Sequence, residues 1–224
     1  MRSARYVFPV LLMLPFAAWS AGDLSYTYLE ADYVNLDVDA FGDAGDFVDD
    51  FDNGGGFAVR GSFAFGRALF GFADFSRTDA DTNFVNDQGL RVDADQDVER
   101  VDVGVGLALP LAERADFVGR AAYTDIDFGD FAFGATASDD DVDDLREDSS
   151  DGYFADARLR AQLTDRLEGS VGARYTDVQS ADNVSLIGNV LFELTPNLGI
   201  NLEVDAGDEL KTYYLGARYS FARF

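Results

Sequence analysis

The chain has 224 residues, a net charge of −25, and neither cysteine nor histidine. That length suits one domain, and the charge excludes nucleic-acid binding, which needs a basic footprint. Without cysteine there are no disulfides or thiol nucleophiles, and without histidine the commonest general base near neutral pH is missing.

The chain begins with Arg2 and Arg5, an apolar run over 6–19, and then Ser20, Ala21 and Gly22. This is the layout of a secretory signal peptide. The run is too short for a membrane helix, which needs about 20 residues. Ala18 and Ser20 place cleavage near Ser20, giving a signal peptide over 1–20 and one mature domain over 21–224. An exported domain of this size without disulfides needs another restraint, which a closed hydrogen-bonded barrel supplies.

Read with period two, the mature chain yields ten strands. They cover 24–37, 56–65, 68–78, 96–109, 116–128, 152–163, 167–179, 183–194, 198–206 and 210–221. Pro110 and Pro196 fall in the predicted turns, where a missing N–H does no harm. Connections alternate. One side of the sheet has only short turns; the other has every long loop, over 38–55, 79–95 and 129–151. The long loops are crowded with acids, including Asp139, Asp140, Asp141, Asp143 and Asp144, whereas the short turns carry Arg67, Arg114 and Arg166.

One strand face is apolar, for example Val101, Val103 and Val105, or Ile200, Leu202 and Val204. Aromatics border it on both sides: Tyr33, Phe57, Phe75, Tyr123, Tyr153, Tyr175 and Tyr213 toward the loops, and Phe65, Phe117, Phe192, Tyr219 and Phe221 toward the turns. Two aromatic bands around an aliphatic one match the girdles of a barrel in lipid. The predicted inner face carries Glu30, Asp32, Arg60, Asp74, Arg100, Asp102, Arg120, Asp156, Arg158, Arg160, Glu168, Arg174, Glu193, Glu203, Asp205 and Arg218. Such charges require partners, and Arg forks match carboxylates, so a lumen filled by Arg–carboxylate networks is expected. Gly104, Gly106, Gly172 and Gly216 share that face and are expected to make room for Arg side chains. A narrow conduit for water or small solutes is the alternative.

The run Asp139-Asp140-Asp141 with Asp143 and Asp144 suggests loose binding of Ca²⁺ or Mg²⁺. No other cofactor is expected. Asp79, Asp81 and Asn83 match the first spacings of an EF-hand, but Phe84 and Leu90 stand where its Gly and terminal Glu belong.

The chain ends on Tyr213, Leu215, Ala217, Tyr219 and Phe221, spaced by two, followed by Ala222, Arg223 and Phe224. With the signal peptide and alternating strands, this resembles the small bacterial outer-membrane barrels OmpX, OmpW and the OmpA membrane domain. The five residues resemble the C-terminal signal read by the barrel-assembly machinery, except that the signal normally ends on its final aromatic. Leu24-Ser25-Tyr26-Thr27-Tyr28-Leu29-Glu30 resembles the mature start of a xanthomonad-type barrel family associated with quorum sensing. Small barrels that are enzymes rely on a catalytic His, so no enzymatic activity is expected here. The resulting expectation is an all-β, closed, up-and-down antiparallel transmembrane barrel of ten strands, with eight as the alternative. It is expected in the outer membrane of a Gram-negative bacterium, as a monomer among lipid and lipopolysaccharide. A structural or surface-interaction role is expected, in envelope integrity, adhesion or biofilm. The rivals are the narrow pore and a soluble β-sandwich.

Overall fold

The computed structural model describes residues 24–38, 50–51, 54–85, 91–128, 132–133, 148–178, 181–207 and 210–221. The predicted signal peptide, the acidic run Asp139 to Asp144, and Ala222, Arg223 and Phe224 lie outside them. Ten strands form the wall: β1 (Tyr28–Val38), β3 (Gly54–Ala64), β4 (Leu69–Val85), β5 (Arg91–Ala112), β6 (Ala115–Phe128), β8 (Asp148–Thr164), β9 (Leu167–Val178), β10 (Ala181–Glu193), β11 (Leu198–Ala206) and β12 (Leu210–Ser220). Two-residue strands β2 (Asp50–Phe51) and β7 (Ala132–Phe133) extend the ladder beside β4 and β5. Every wall strand pairs antiparallel with the next, and β1 pairs with β12, so the sheet closes without an edge. This is the ten-strand, up-and-down barrel expected from the alternation.

The turns explain the tight hairpins on one side. Gly66 takes a positive φ of 96°, which its lack of a Cβ permits, in the turn from β3 to β4. Thr164 and Thr195 solve the turns after β8 and β10 in the same way. Each hydroxyl accepts two backbone N–H groups, from Arg166 and Leu167 at 3.3 and 3.1 Å, and from Asn197 and Leu198 at 3.4 and 3.0 Å. Pro196 lies in its turn as expected, but Pro110 does not. β5 continues through Pro110, and a bulge between Pro110 and Ala112 absorbs the irregularity.

The second long loop is also shorter than expected. β4 and β5 stay paired from Leu69 with Leu107 out to Val85 with Arg91, so most of 79–95 is ladder. Conversely, 24–27 precedes the first strand rather than belonging to it.

The apolar face points outward. Val171 and Leu186 are 63% and 66% exposed, and Val103, Val105, Leu202 and Leu215 are exposed as well. The aromatic bands lie on that surface, with Tyr33, Tyr123 and Tyr153 near the loops and Phe65, Tyr219 and Phe221 near the turns. A soluble sandwich would bury these side chains; hydrocarbon is the solvent that suits them.

Candidate functional site in the lumen

Alternation places every second side chain inside the ring, and closure brings together residues far apart in sequence. Glu30 on β1 accepts hydrogen bonds from Arg218 on β12 and from Asn201 on β11, the latter at 3.1 Å. Its carboxylate is 2.5 Å from Arg60 on β3. Arg60 also donates to Asp32 at 3.0 Å and to Glu203 on β11 at 2.8 Å. The other Glu203 oxygen accepts from Arg158 on β8 at 3.0 Å. Arg158 in turn donates to Asp156 at 3.1 Å, as does Arg120 on β6 at 2.7 Å. Arg174 on β9 lies 3.7 Å from Asp156 and donates to Asp205 at 2.6 Å.

The links Arg60–Glu203 and Glu203–Arg158 join strands that are not neighbours in the sheet, so the network crosses the lumen instead of following its wall. Two smaller groups flank it. Arg100 donates to Asp102 at 3.0 Å, and Thr124 donates to the same carboxylate at 2.7 Å. Arg160 donates to Glu168 at 2.5 Å. Glu193 is half-buried at the turn-side end of β10, where its backbone N–H bonds the Arg166 carbonyl.

The expected inner set holds these charges but not the aromatic companions that share their parity. Phe70, Phe72 and Phe154 point inward and form a buried cluster with Ala108, Val118 and Ala122. Arg174 and Arg120 lie over Phe154 and Phe72 at 4.6 and 4.9 Å from the ring centres, and Arg60 and Arg218 over Tyr214 and Tyr28 at 4.7 and 4.3 Å. Guanidinium groups facing rings gain a cation–π contact in addition to their ion pairs.

The cluster corrects the expected role of the glycines. A Cβ on Gly106 would run into the Phe70 ring, and one on Gly104 would come within 2.6 Å of Phe72. Those two glycines receive aromatic rings, not Arg chains. They stand directly opposite them in register, Phe70 with Gly106 and Phe72 with Gly104. A Cβ on Gly216 would run into the Ala31 carbonyl oxygen and the Asp32 carboxylate. At Gly172 an added Cβ would meet the Ala157 carbonyl oxygen first and then Arg158, whose Cα and Cγ would both lie 2.8 Å away. Asp116, which period two also puts inside, is 1% exposed and was absent from the expected inner set.

The packed network leaves a cavity of about 50 Å³ bordered by Arg158, Arg160 and Arg218, and one of about 20 Å³ bordered by Asp74, Arg100 and Asp102. Arg60 and Glu203 border both. Each is large enough for water, since roughly 10–15 Å³ of such space holds one molecule.

On the outer surface, Tyr213, Leu215, Ala217, Tyr219 and Phe221 all face outward along and just past β12. Above the loop-side aromatics, acids stand opposite one another: Asp125 with Asp151, Glu99 with Asp127, and Asp177 with Asp182. Arg77 is bonded to two of the acids here, at 2.6 Å from Asp97 and 3.2 Å from Glu99.

Comparison with known proteins agrees with this geometry. Residues 6–221 match the family described as outer membrane protein beta-barrel domain. No curated protein matches the chain. Among solved structures, the translocator domain of the autotransporter NalP from Neisseria meningitidis is similar with a TM-score of 0.51 at 10% identity, over 87% of this chain and 88% of that one. The outer membrane protein OprG from Pseudomonas aeruginosa gives a TM-score of 0.49 at 9% identity, over 91% and 99% of the two chains. Ail, the attachment invasion locus protein of Yersinia pestis, gives 0.41 at 14% identity, over 88% and 97%. The outward apolar band, the closed ten-strand ring and the match across nearly the whole chain lead to one conclusion: the chain belongs to the outer membrane protein beta-barrel domain family and resides in the bacterial outer membrane.

Proposed function

We propose that this barrel is a non-catalytic structural and surface-interaction protein of the outer membrane, with a lumen packed for rigidity and not for transport. The observation that carries this reading is the Arg60–Glu203–Arg158 crossing, which lies directly across the path a solute would take. Moving it would strand buried charges, at a cost of roughly 3–5 kcal/mol for each broken pair. Planar-bilayer recording of the purified protein tests the proposal. A silent bilayer is expected, and discrete, reproducible conductance steps would replace this reading with the narrow-pore one.

A second element of the proposal concerns the outside. Like charges directly opposite in a sheet are destabilising, yet Asp125 faces Asp151 and Asp177 faces Asp182 on the outer surface. Carboxylate pairs suit Ca²⁺ or Mg²⁺, which takes oxygen ligands. Among the described residues no group of three such side chains gathers, so the remaining ligands would come from water or from lipopolysaccharide phosphates. Lipopolysaccharide bridged by divalent cations is thus the proposed partner of the acidic rim and of the loops above it, and it suits roles in envelope integrity or adhesion. Thermal unfolding in micelles should shift upward as Ca²⁺ is titrated in. An unchanged midpoint would remove this element and leave the packed lumen untouched.

A further inference from the structure

One occupant of the lumen is not part of its wall. Residues 24–26 take no place in the ladder, whose strands begin where Tyr28 pairs with Ser62 and Ser220 and whose last backbone bond, from Phe221 just past β12, is made at Thr27. Leu24 and Ser25 are nonetheless buried. The Tyr26 ring stacks on Phe70 at 5.1 Å and lies under the Arg160 guanidinium at 4.6 Å. It also borders the larger cavity. Its hydroxyl donates to Asp116 at 2.7 Å. The Ser25 carbonyl accepts from Arg160 at 3.0 Å, the Tyr26 carbonyl from the Ser62 hydroxyl at 2.8 Å, and the Thr27 carbonyl from the Phe221 N–H at 2.9 Å. These contacts reach β3, β4, β6, β8 and the residue after β12, so the segment spans the turn-side mouth and does not follow a single strand.

Asp116 shows what the segment is for. One of its oxygens accepts from Tyr26, and the other has no hydrogen-bond partner. A buried carboxylate held by one neutral donor is expensive for a wall to keep. Every carboxylate of the crossing network is instead paired with a guanidinium from the wall itself. Asp116 stands opposite Arg160 in the β6–β8 register, but the hydrogen bond it accepts comes from the segment.

We infer that residues 24–26 are an intramolecular plug, seated by Tyr26 on Asp116 and Arg160 and hinged at Thr27, which closes the turn-side mouth and can leave without breaking the ladder. Behind it lies the cavity bordered by Arg60, Arg120, Arg158, Arg160 and Arg218. Once unseated, the mouth opens onto a polar vestibule whose guanidinium groups are each paired with a carboxylate, Glu203 among them. The inference concerns access to the lumen from one end and holds whether or not the crossing network conducts.

The chain has no cysteine, so Ser170→Cys, on the wall of that cavity, supplies a single thiol for chemical labelling in the folded protein. Its rate of modification by an anionic methanethiosulfonate is compared in three backgrounds: wild type, Tyr26→Ala and Asp116→Asn. The expected rise in both variants is at least about tenfold, the change that follows loss of a charge-assisted hydrogen bond. The rise should appear with an anionic and a cationic reagent alike, with the mobility of the unboiled band on a gel unchanged. One rate in all three backgrounds overturns the plug. Should Tyr26→Ala fail to fold, Tyr26→Phe keeps the ring and removes only the hydroxyl; equal rates for it, Asp116→Asn and wild type overturn the plug equally. Conductance steps with plug-dependent labelling would sink the closed lumen and keep the plug. A silent bilayer with plug-independent labelling would do the reverse.

Discussion

Two sectors of the same lumen are filled in opposite ways. Between β1, β3, β8, β11 and β12, carboxylates and guanidinium groups cross the space, each buried charge answered by another. Against β4, β5 and β6, aromatic rings from one strand rest over glycines of the next. The ionic sector depends on matched charge, and the two cavities lie where it meets the aromatic one. The aromatic sector depends on matched shape and tolerates no added atom. Arg120 and Arg174 join the two, each bonded to a carboxylate while lying over a ring of the cluster. A small barrel can therefore fill a bore slightly too wide for side chains of one kind by using long polar side chains on one side and rings on the other.

Substitutions can break that comparison or sharpen it. The largest effect should come from Glu30→Ala, which strips Arg60, Arg218 and Asn201 of a shared acceptor. A loss of roughly 3–5 kcal/mol is expected, read as a lower midpoint of urea unfolding followed by gel mobility. Phe154→Ala, in the aromatic sector, should cost roughly 3 kcal/mol in the same assay. A much smaller loss would mean that neighbouring arginines collapse into the hole. Gly106→Ala should cost roughly 1–3 kcal/mol by overpacking the Phe70 ring, and Phe70→Leu in the same chain should restore much of it. If the two substitutions simply add, the ring-over-glycine account is wrong. The smallest effect belongs to Asp165→Ala. Its partner Arg114 lies 2.6 Å away, but the two side chains are 88% and 52% exposed. The same chemistry that is decisive inside should here be worth about 0–1 kcal/mol and vanish in high salt.

Period two carried most of the architecture. It assigns both faces of every strand, because a barrel in lipid must alternate, and it places Glu30, Arg60, Arg158, Glu203 and Arg218 inside. What it cannot supply is register. Gly104 and Gly106 are correctly put on the inner face, but only the pairing of β4 with β5 shows that Phe72 and Phe70 stand across from them. The same lack hid the length of that hairpin. Asp79, Asp81, Asp93 and Asp95 read as loop residues because an acid-rich stretch does not suit a face that meets hydrocarbon. A ladder that continues beyond the bilayer meets no such demand. The 24–27 segment falls within the predicted first strand, whereas the Ser25 and Tyr26 carbonyls bond side chains at the mouth of the lumen.

The contact between Glu30 and Arg218 spans 188 positions of sequence and lies at the seam where the first strand meets the last. Until the final hairpin arrives, the growing sheet holds an acid on its leading edge without its full set of counter-ions in a medium that punishes bare charge. Biogenesis of this protein should thus proceed with a late, concerted commitment, in which sealing of the cylinder and neutralisation of its interior are a single event. A chain shortened by its last strand would be rejected by the bilayer, not merely weakened.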